Sequence, residues 1–515
     1  MQRGYLLIKF LCLFGAYSKA QNPDDALRSA WFQPGGTARS LAIGGAMGSL
    51  GGDMATIHTN PAGLGFYKTA EWALSPAFQL NTNNFDFRNN PNRTTRNSFG
   101  FGTSGYIDGG HPDAYSNEIT HTYGISISQA AAYGNLVQFS GLNDFSSYSE
   151  QYVEELARDG ANIDAAANNY ITGSSLAFFT YLVDSLADPQ GNLIGYRSLV
   201  PVGEGMGVQQ DFDEIRSGGR YDISFGYGMN VKNKWLFGAT VSLPLSVYNS
   251  DLTFIESDPT EIENNFAYSQ LEQSFRSFGF GINAILGVIY RPQDYIRFGL
   301  AIHTPSYMLF SDRIKASMTT DTEGYKGVQT KNSFDADFGG NEWITRDYAQ
   351  LTPWKAILSG SYVFRETQDT RLQRGFITAD LEYINYRGAR FSQVSEDPDP
   401  AYDSYLLFAN QINKDYLKGA LNARLGGEFK IAPVAFRAGV AYYSSPYQDV
   451  PVNAHRLLLS GGIGYRYQGF FIDLTYVHAQ NKDIQFPYRL NDVANVFATW
   501  KNSRGQIMAT FGFKF

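Results

Sequence analysis

Cysteine is nearly absent from these 515 residues: Cys12 is the only one. A chain without a disulfide framework must draw its rigidity from elsewhere. Long apolar runs are missing too. After the first twenty residues no stretch of roughly 18 apolar residues occurs, which excludes membrane-spanning helices. His58, His111, His121, His303, His455 and His478 are scattered, and none forms the i, i+4 pair of a helical zinc site. The glycine-rich run 44–52 lacks the Gly-Lys-Ser/Thr ending of a phosphate loop, so close packing is its better reading. No nucleophile elbow occurs, and no basic patch with interleaved aromatics points to nucleic acid. The expectation is a protein that is not an enzyme and holds no cofactor or metal.

What is present is aromatic residues (15%) and glycine (52 residues), at a mean hydropathy of −0.27. A membrane barrel has this composition because its lipid-facing side chains alternate with a polar lumen. The C-terminal segment 504–515 shows the pattern most cleanly. Ile507, Ala509, Phe511, Phe513 and Phe515 alternate with Gln506, Met508, Thr510, Gly512 and Lys514, a period of two that gives a strand one apolar and one polar face. The closing strand of an outer-membrane barrel ends on such an aromatic; the last strand of a soluble sandwich is the alternative for these residues alone. At the other end, Arg3 precedes an apolar run from Tyr5 to Tyr17 broken only by Lys9, and Ser18-Lys19-Ala20 offers small residues for cleavage before Gln21. Residues 1–20 therefore read as a secretory signal peptide, with Cys12 inside it and no lipoprotein-type flank. Losing Arg3, Lys9 and Lys19 takes the 41 basic residues to 38 against 49 acidic ones, a net charge of −11. The expected location is the outer membrane of a Gram-negative cell, among lipid and lipopolysaccharide.

Alternating runs bounded by turn residues recur fourteen times. They cover about 71–87, 97–107, 132–143, 219–232, 234–248, 274–291, 294–309, 351–365, 374–391, 416–431, 433–447, 454–468, 470–480 and 504–515. Lys232-Asn233-Lys234, Arg291-Pro292-Gln293-Asp294, Lys430-Ile431-Ala432-Pro433 and Tyr467-Gln468-Gly469 are tight turns, and long connections at 144–218, 249–273, 310–350, 392–415, 448–453 and 481–503 separate them. Short periplasmic turns alternating with long outer loops are the asymmetry of a barrel, and an even strand count keeps every short turn on one side. The segment 108–131 is long for the periplasmic side, and Ile119 to Ser128 within it has the pattern of a further strand. Residues 145–215 form an outer-loop insertion with helices near Ser149–Arg158 and Ser174–Leu186. Those helices either cap the barrel mouth and collect apolar ligands or merely pack the loop on itself. Residues 21–70, rich in Gly and Ala, suit a plug inside a barrel formed by 71–515.

Gly44-Gly45-Ala46-Met47-Gly48, Gly51-Gly52-Asp53-Met54-Ala55-Thr56 and Asn60-Pro61-Ala62-Gly63-Leu64 together resemble the N-terminal plug of the FadL-type outer-membrane transporters. Further stretches resemble the Bacteroidota branch of that family: Gly287-Val288-Ile289-Tyr290-Arg291-Pro292, Arg297-Phe298-Gly299-Leu300-Ala301-Ile302-His303-Thr304-Pro305, Thr352-Pro353-Trp354-Lys355 and Gly512-Phe513-Lys514-Phe515. The resemblance implies a fourteen-stranded antiparallel barrel with an internal plug, in which Asn60, Pro61 and Ala62 mark the passage from plug to barrel. It also implies passive uptake of hydrophobic or amphipathic molecules such as long-chain fatty acids or aromatic hydrocarbons. Other members serve as barrel subunits of secretion or assembly machines, so a non-transporting docking subunit is the alternative. The terminal Phe515 resembles the signal read by the barrel-assembly machinery.

Strand parity points Asn283, Arg291, Arg297, His303, Asp380, Glu382, Lys418, Arg424, Glu428, Arg437, Arg466 and Asp473 into the lumen. Of these, Arg291, Arg297, His303, Arg424, Arg437 and Arg466 are the candidate ligand-facing residues, since a cation in an apolar pocket holds a ligand carboxylate. The competing reading is a self-neutralising ladder of mixed charge that hydrates the interior.

Overall fold

The computed structural model describes residues 23–30, 35–116, 118–203, 206–260, 262–364, 374–394, 399–448 and 454–515. The expected signal peptide at 1–20 lies outside them, as do 21–22 and 31–34 of the expected plug. Fourteen antiparallel strands close a barrel. In chain order they are 71–87, 90–112, 119–143, Val208–Val231, Trp235–Ser257, Tyr268–Gln293, 296–321, 344–364, 375–393, Gly419–Ile431, Val434–Tyr443, Arg456–Tyr467, Phe470–Gln485 and Ala498–Lys514. The first strand pairs with the fourteenth, Glu71 with Lys514 and Ala77 with Met508, which closes the sheet on itself.

The outward faces explain why the sequence signals were strongest where they were. On the fifth strand Phe237, Val241 and Leu243 are exposed, as lipid-facing residues must be, while Thr240 and Ser242 turn inward. Above this belt the polarity inverts. On the fourth strand Asp211 faces out while Gln210, Phe212 and Glu214 are buried, so the alternation no longer carries an apolar outer face. That inversion corrects the expected start of the fourth strand from 219 to 208, and the insertion ends at 207 instead of 215. Strands four to six thus stand above the belt as a ribbon, paired as far as Gln209 with Ser257 and Ser257 with Tyr268.

The segment 108–131 holds no additional strand. Ile119–Ala132 is the lower half of the third strand, continued by Asn135–Asn143, and it pairs back onto the second strand as far as Pro112↔Thr120. The second strand starts at Asn90 because Arg88 and Asn89, both at positive φ (54° and 63°), make a two-residue hairpin turn. The helix α4 (Glu150–Arg158) lies where expected, but the stretch 174–186 splits into a helix (Ser174–Phe179) and a strand, Val183–Ala187, which pairs with Leu193–Ser198. Between strands nine and ten a helix, Pro400–Tyr416, was not anticipated. Its Asn410 amide bonds both the N–H and the carbonyl of Phe391, at 2.7 and 2.8 Å, and so caps an unpaired strand edge.

The N-terminal segment fills the lower lumen. The helices α1 (Pro23–Arg28), α2 (Ala38–Ala42) and α3 (Thr56–Thr59) and the 3-10 turn Pro61–Phe66 pack against the inner wall. Glycine makes this possible. A Cβ on wall residues Gly238, Gly287, Gly299 or Gly439 would collide with Pro61, Asn60, Gly48 or Ile43. Plug and wall backbones touch only because those strand positions lack side chains.

Candidate functional site

The plug signature is a clamp. Asn60 is fully buried, and its Nδ2 donates to the carbonyls of Gly48 (2.6 Å), Val288 (3.3 Å) and Leu300 (3.4 Å). Its Oδ1 accepts from Ala62 N at 3.1 Å, capping the turn that Pro61 opens with its fixed φ. One side chain therefore ties the plug to itself and to strands six and seven.

The six candidates, five arginines and His303, all turn inward, and they serve this plug and its seat. The guanidiniums of Arg291 and Arg297 lie 5.5 and 4.5 Å from the ring centre of Phe66. His303 Nε2 lies 3.0 Å from the carbonyl oxygen of Thr59. Arg424 pairs with Glu382 at 2.7 Å, and Arg437 bridges Glu428 and Asp473 at 2.6 Å each. Arg466 sits 3.8 Å from Asp473, and the plug's Arg39 joins the cluster through Glu428 at 3.3 Å. None of the six lines either of the two cavities described next.

The larger cavity, about 790 Å³, lies between the plug top (Leu27, Arg28) and the loop lid (Tyr152, Glu155, Arg158). Rings of Tyr148, Phe212, Tyr248, Phe254, Phe275 and Trp500 line it beside the charged Glu214, Arg216, Asp312 and Arg346. A second cavity of about 270 Å³ lies deeper, against strands one, three, twelve, thirteen and fourteen. Arg28, Tyr133, Asn135, Arg456, Asp483 and Trp500 line both, so the two abut at the plug's α1. Arg28 was overlooked because it lies in the plug, and Arg456 because it stands at a strand end.

The deeper cavity abuts a seam in the wall. The ladder between strands two and three runs only from Pro112↔Thr120 to Ser104↔Ile127. Above it the third strand bulges at Ala130 and breaks at 133–134, and side chains replace backbone hydrogen bonds. Asn83 Nδ2 and Thr94 Oγ1 both donate to Leu136 O (2.8 and 2.9 Å), Asn92 Nδ2 to Gln138 O (3.1 Å) and Asn90 Nδ2 to Ser140 O (3.0 Å).

The lid is fastened from above the belt. Glu256, at the top of the fifth strand, is fully buried and accepts from Ser147 Oγ (2.5 Å), Tyr148 N (2.8 Å) and Gln210 Nε2 (2.6 Å). Burial pushes its carboxyl up to about 7 against those three donors. Tyr488 of the last outer loop enters the same network through Ser146 O at 2.9 Å. The Glu154 carboxylate of α4 accepts from the backbone of Asn491 and Asp492.

Solved structures share this architecture. A FadL homologue of Pseudomonas aeruginosa superposes with a TM-score of 0.52 at 12% identity, over 93% of this chain and 99% of its own. The toluene transporter TodX of Pseudomonas putida gives 0.50 at 12% identity, over 94% and 99%. The fold is that of the FadL-type outer-membrane transporters. No protein-family model and no curated protein matches the sequence, as expected where barrel pattern is kept and residue identity is not.

Proposed function

We propose that this protein is a passive outer-membrane conduit for hydrophobic or amphipathic small molecules, acting after removal of a signal peptide near Ala20. The observation that carries the reading is the adjacency of the two cavities, which share six lining residues and together extend from under the lid, past α1, to the seam between strands two and three. A solute leaving the external medium buries apolar surface against the rings under the lid, at roughly 25 cal/mol per Å². The plug closes the lower lumen, so the seam offers the shorter way out, into the bilayer. The likeness to a FadL homologue and to a toluene transporter supports this class of cargo. Cells lacking the protein, cells with it and cells with 23–50 deleted are compared for uptake of oleate and of toluene at matched surface levels. The conduit reading requires faster uptake with the intact protein and an altered rate without the plug. Identical uptake in all three refutes it and favours a docking subunit.

A further inference from the structure

The seam-side cavity is cationic. Among the described residues, Arg28, Arg456, Arg504 and Lys482 line it with one carboxylate, Asp483, and Arg28 and Arg456 have partners of their own, Arg28 lying 4.3 Å over the Tyr248 ring. Much of the remaining polar lining is amide, from Gln79, Asn81, Gln129, Asn135, Asn481 and Asn502. Arg504 rises from the fourteenth strand and reaches across the first to the broken edge of the third. Both of its hydrogen bonds use Nη2, one to Gln79 Oε1 and one to Ala132 O at 3.2 Å. Among the described residues, Nε and Nη1 donate to no protein group, and no carboxylate pairs with it. Other inward arginines are treated differently. Arg220 meets Asp222 at 3.0 Å, Arg424 meets Glu382, and Arg437 meets two acids. A guanidinium left without counter-charge inside a barrel is costly, and a bound oxyanion offsets that cost through charge-assisted hydrogen bonds. A hydrocarbon offers no such compensation.

We propose that Arg504, flanked by Arg456 and Arg28, is an acid-binding position at the seam, and that the cargo is an amphipathic organic acid with an aromatic body. The inference rests on the conduit reading and narrows its cargo. The carboxylate accepts from Nε and Nη1 of Arg504. The ring system stays above, where Trp500 lines both cavities, near Phe212 and near Tyr248 and Phe275, over whose rings the Arg28 guanidinium lies at 4.3 and 5.6 Å.

The mature protein in nanodiscs is titrated with 2-naphthoate, its neutral analogue 2-naphthalenemethanol, and decanoate. Wild type should bind naphthoate at least about tenfold more tightly than either other probe. Arg504→Gln should lose roughly tenfold or more of that affinity, and Arg504→Lys should recover part of it. Heat-modified gel mobility confirms that each variant is a folded barrel. Equal naphthoate affinity in wild type and Arg504→Gln, or alcohol binding as tight as that of the acid, overturns the site and leaves the conduit standing. Decanoate matching naphthoate overturns the aromatic body. No binding of any probe, with no uptake difference in cells, overturns the conduit and the site together.

Discussion

If solutes leave through the seam, stapling it should stop them. Above Ser104 five residues of the second strand, Asn90, Asn92, Thr94, Phe101 and Thr103, are joined to the third by hydrogen bonds that involve side chains. At about 0.5–1.5 kcal/mol each they sum to roughly 2.5–7.5 kcal/mol, less than a continuous backbone ladder of that length would hold. A Cβ built on Gly134 lies 4.0 Å from Ser98 Cβ across the gap, inside the range of about 3.5–4.5 Å that a disulfide spans. Gly134 is not at positive φ, so a side chain there is unstrained. The double variant Ser98→Cys/Gly134→Cys should oxidise in the cell envelope and reduce uptake to that of cells lacking the protein. A reductant should restore it, and each single variant should transport normally. A staple shown complete by gel shift, with uptake unchanged, would refute the seam as the route.

Four other outcomes are open to measurement. Ser49 Oγ and Ser359 Oγ lie 2.8 Å apart, so Ser49→Cys/Ser359→Cys should cross-link plug to wall; failure to cross-link at any oxidant level contradicts the seated plug. Gly287→Ala drives a Cβ into Asn60 Oδ1 and should cost about 1–3 kcal/mol of plug docking, seen as faster proteolysis within 35–66 while the barrel keeps its heat-modifiable mobility. Deleting Phe515, whose backbone exchanges two 3.1 Å hydrogen bonds with Ala70, should lower outer-membrane levels far more than it alters the folded barrel; normal levels would count against a role in insertion. For Glu256, a carboxyl raised from 4.5 to about 7 in the docked lid makes docking strongest below pH about 4.5 and weaker as pH rises through 7, by at most about 3 kcal/mol. Protease cleavage of 144–207 should therefore speed up from pH 4.5 to 7.5 in wild type and lose that dependence in Glu256→Gln; a flat wild-type profile would refute the assignment.

The sequence was most legible where physics gave each strand two unlike faces. In the belt, lipid demands apolar residues such as Phe511 and Phe513 outside and the lumen takes Thr510 inside, so period two survives and the strand count of fourteen followed. Above the belt both faces meet water or packed loop. Asp211 and Asp213 then stand outside a buried Phe212, and a pattern sought as apolar-outside fails there. The helix Pro400–Tyr416 was missed for a related reason. Its inner stripe is Leu406, Ala409 and Asn413, while Leu407 and Phe408 stay exposed on the other side, so no clean amphipathic period marks it.

Parity also has a limit inside the lumen: it gives direction but not partner. Arg424 and Arg504 are both inward residues of regular strands, and nothing local separates them. The difference is register. Arg424 falls opposite Asp380 and Glu428 opposite Arg437, so their charges cancel across the ladder. Arg504 falls opposite Ala479 on one side and Asn81 on the other. A two-residue slip of a neighbouring strand would keep every side chain on its face and yet change each of these pairings. The periodicity that revealed the barrel is therefore silent about which of its cations are already neutralised, and the cation left for a ligand becomes visible only when cross-strand neighbours are known.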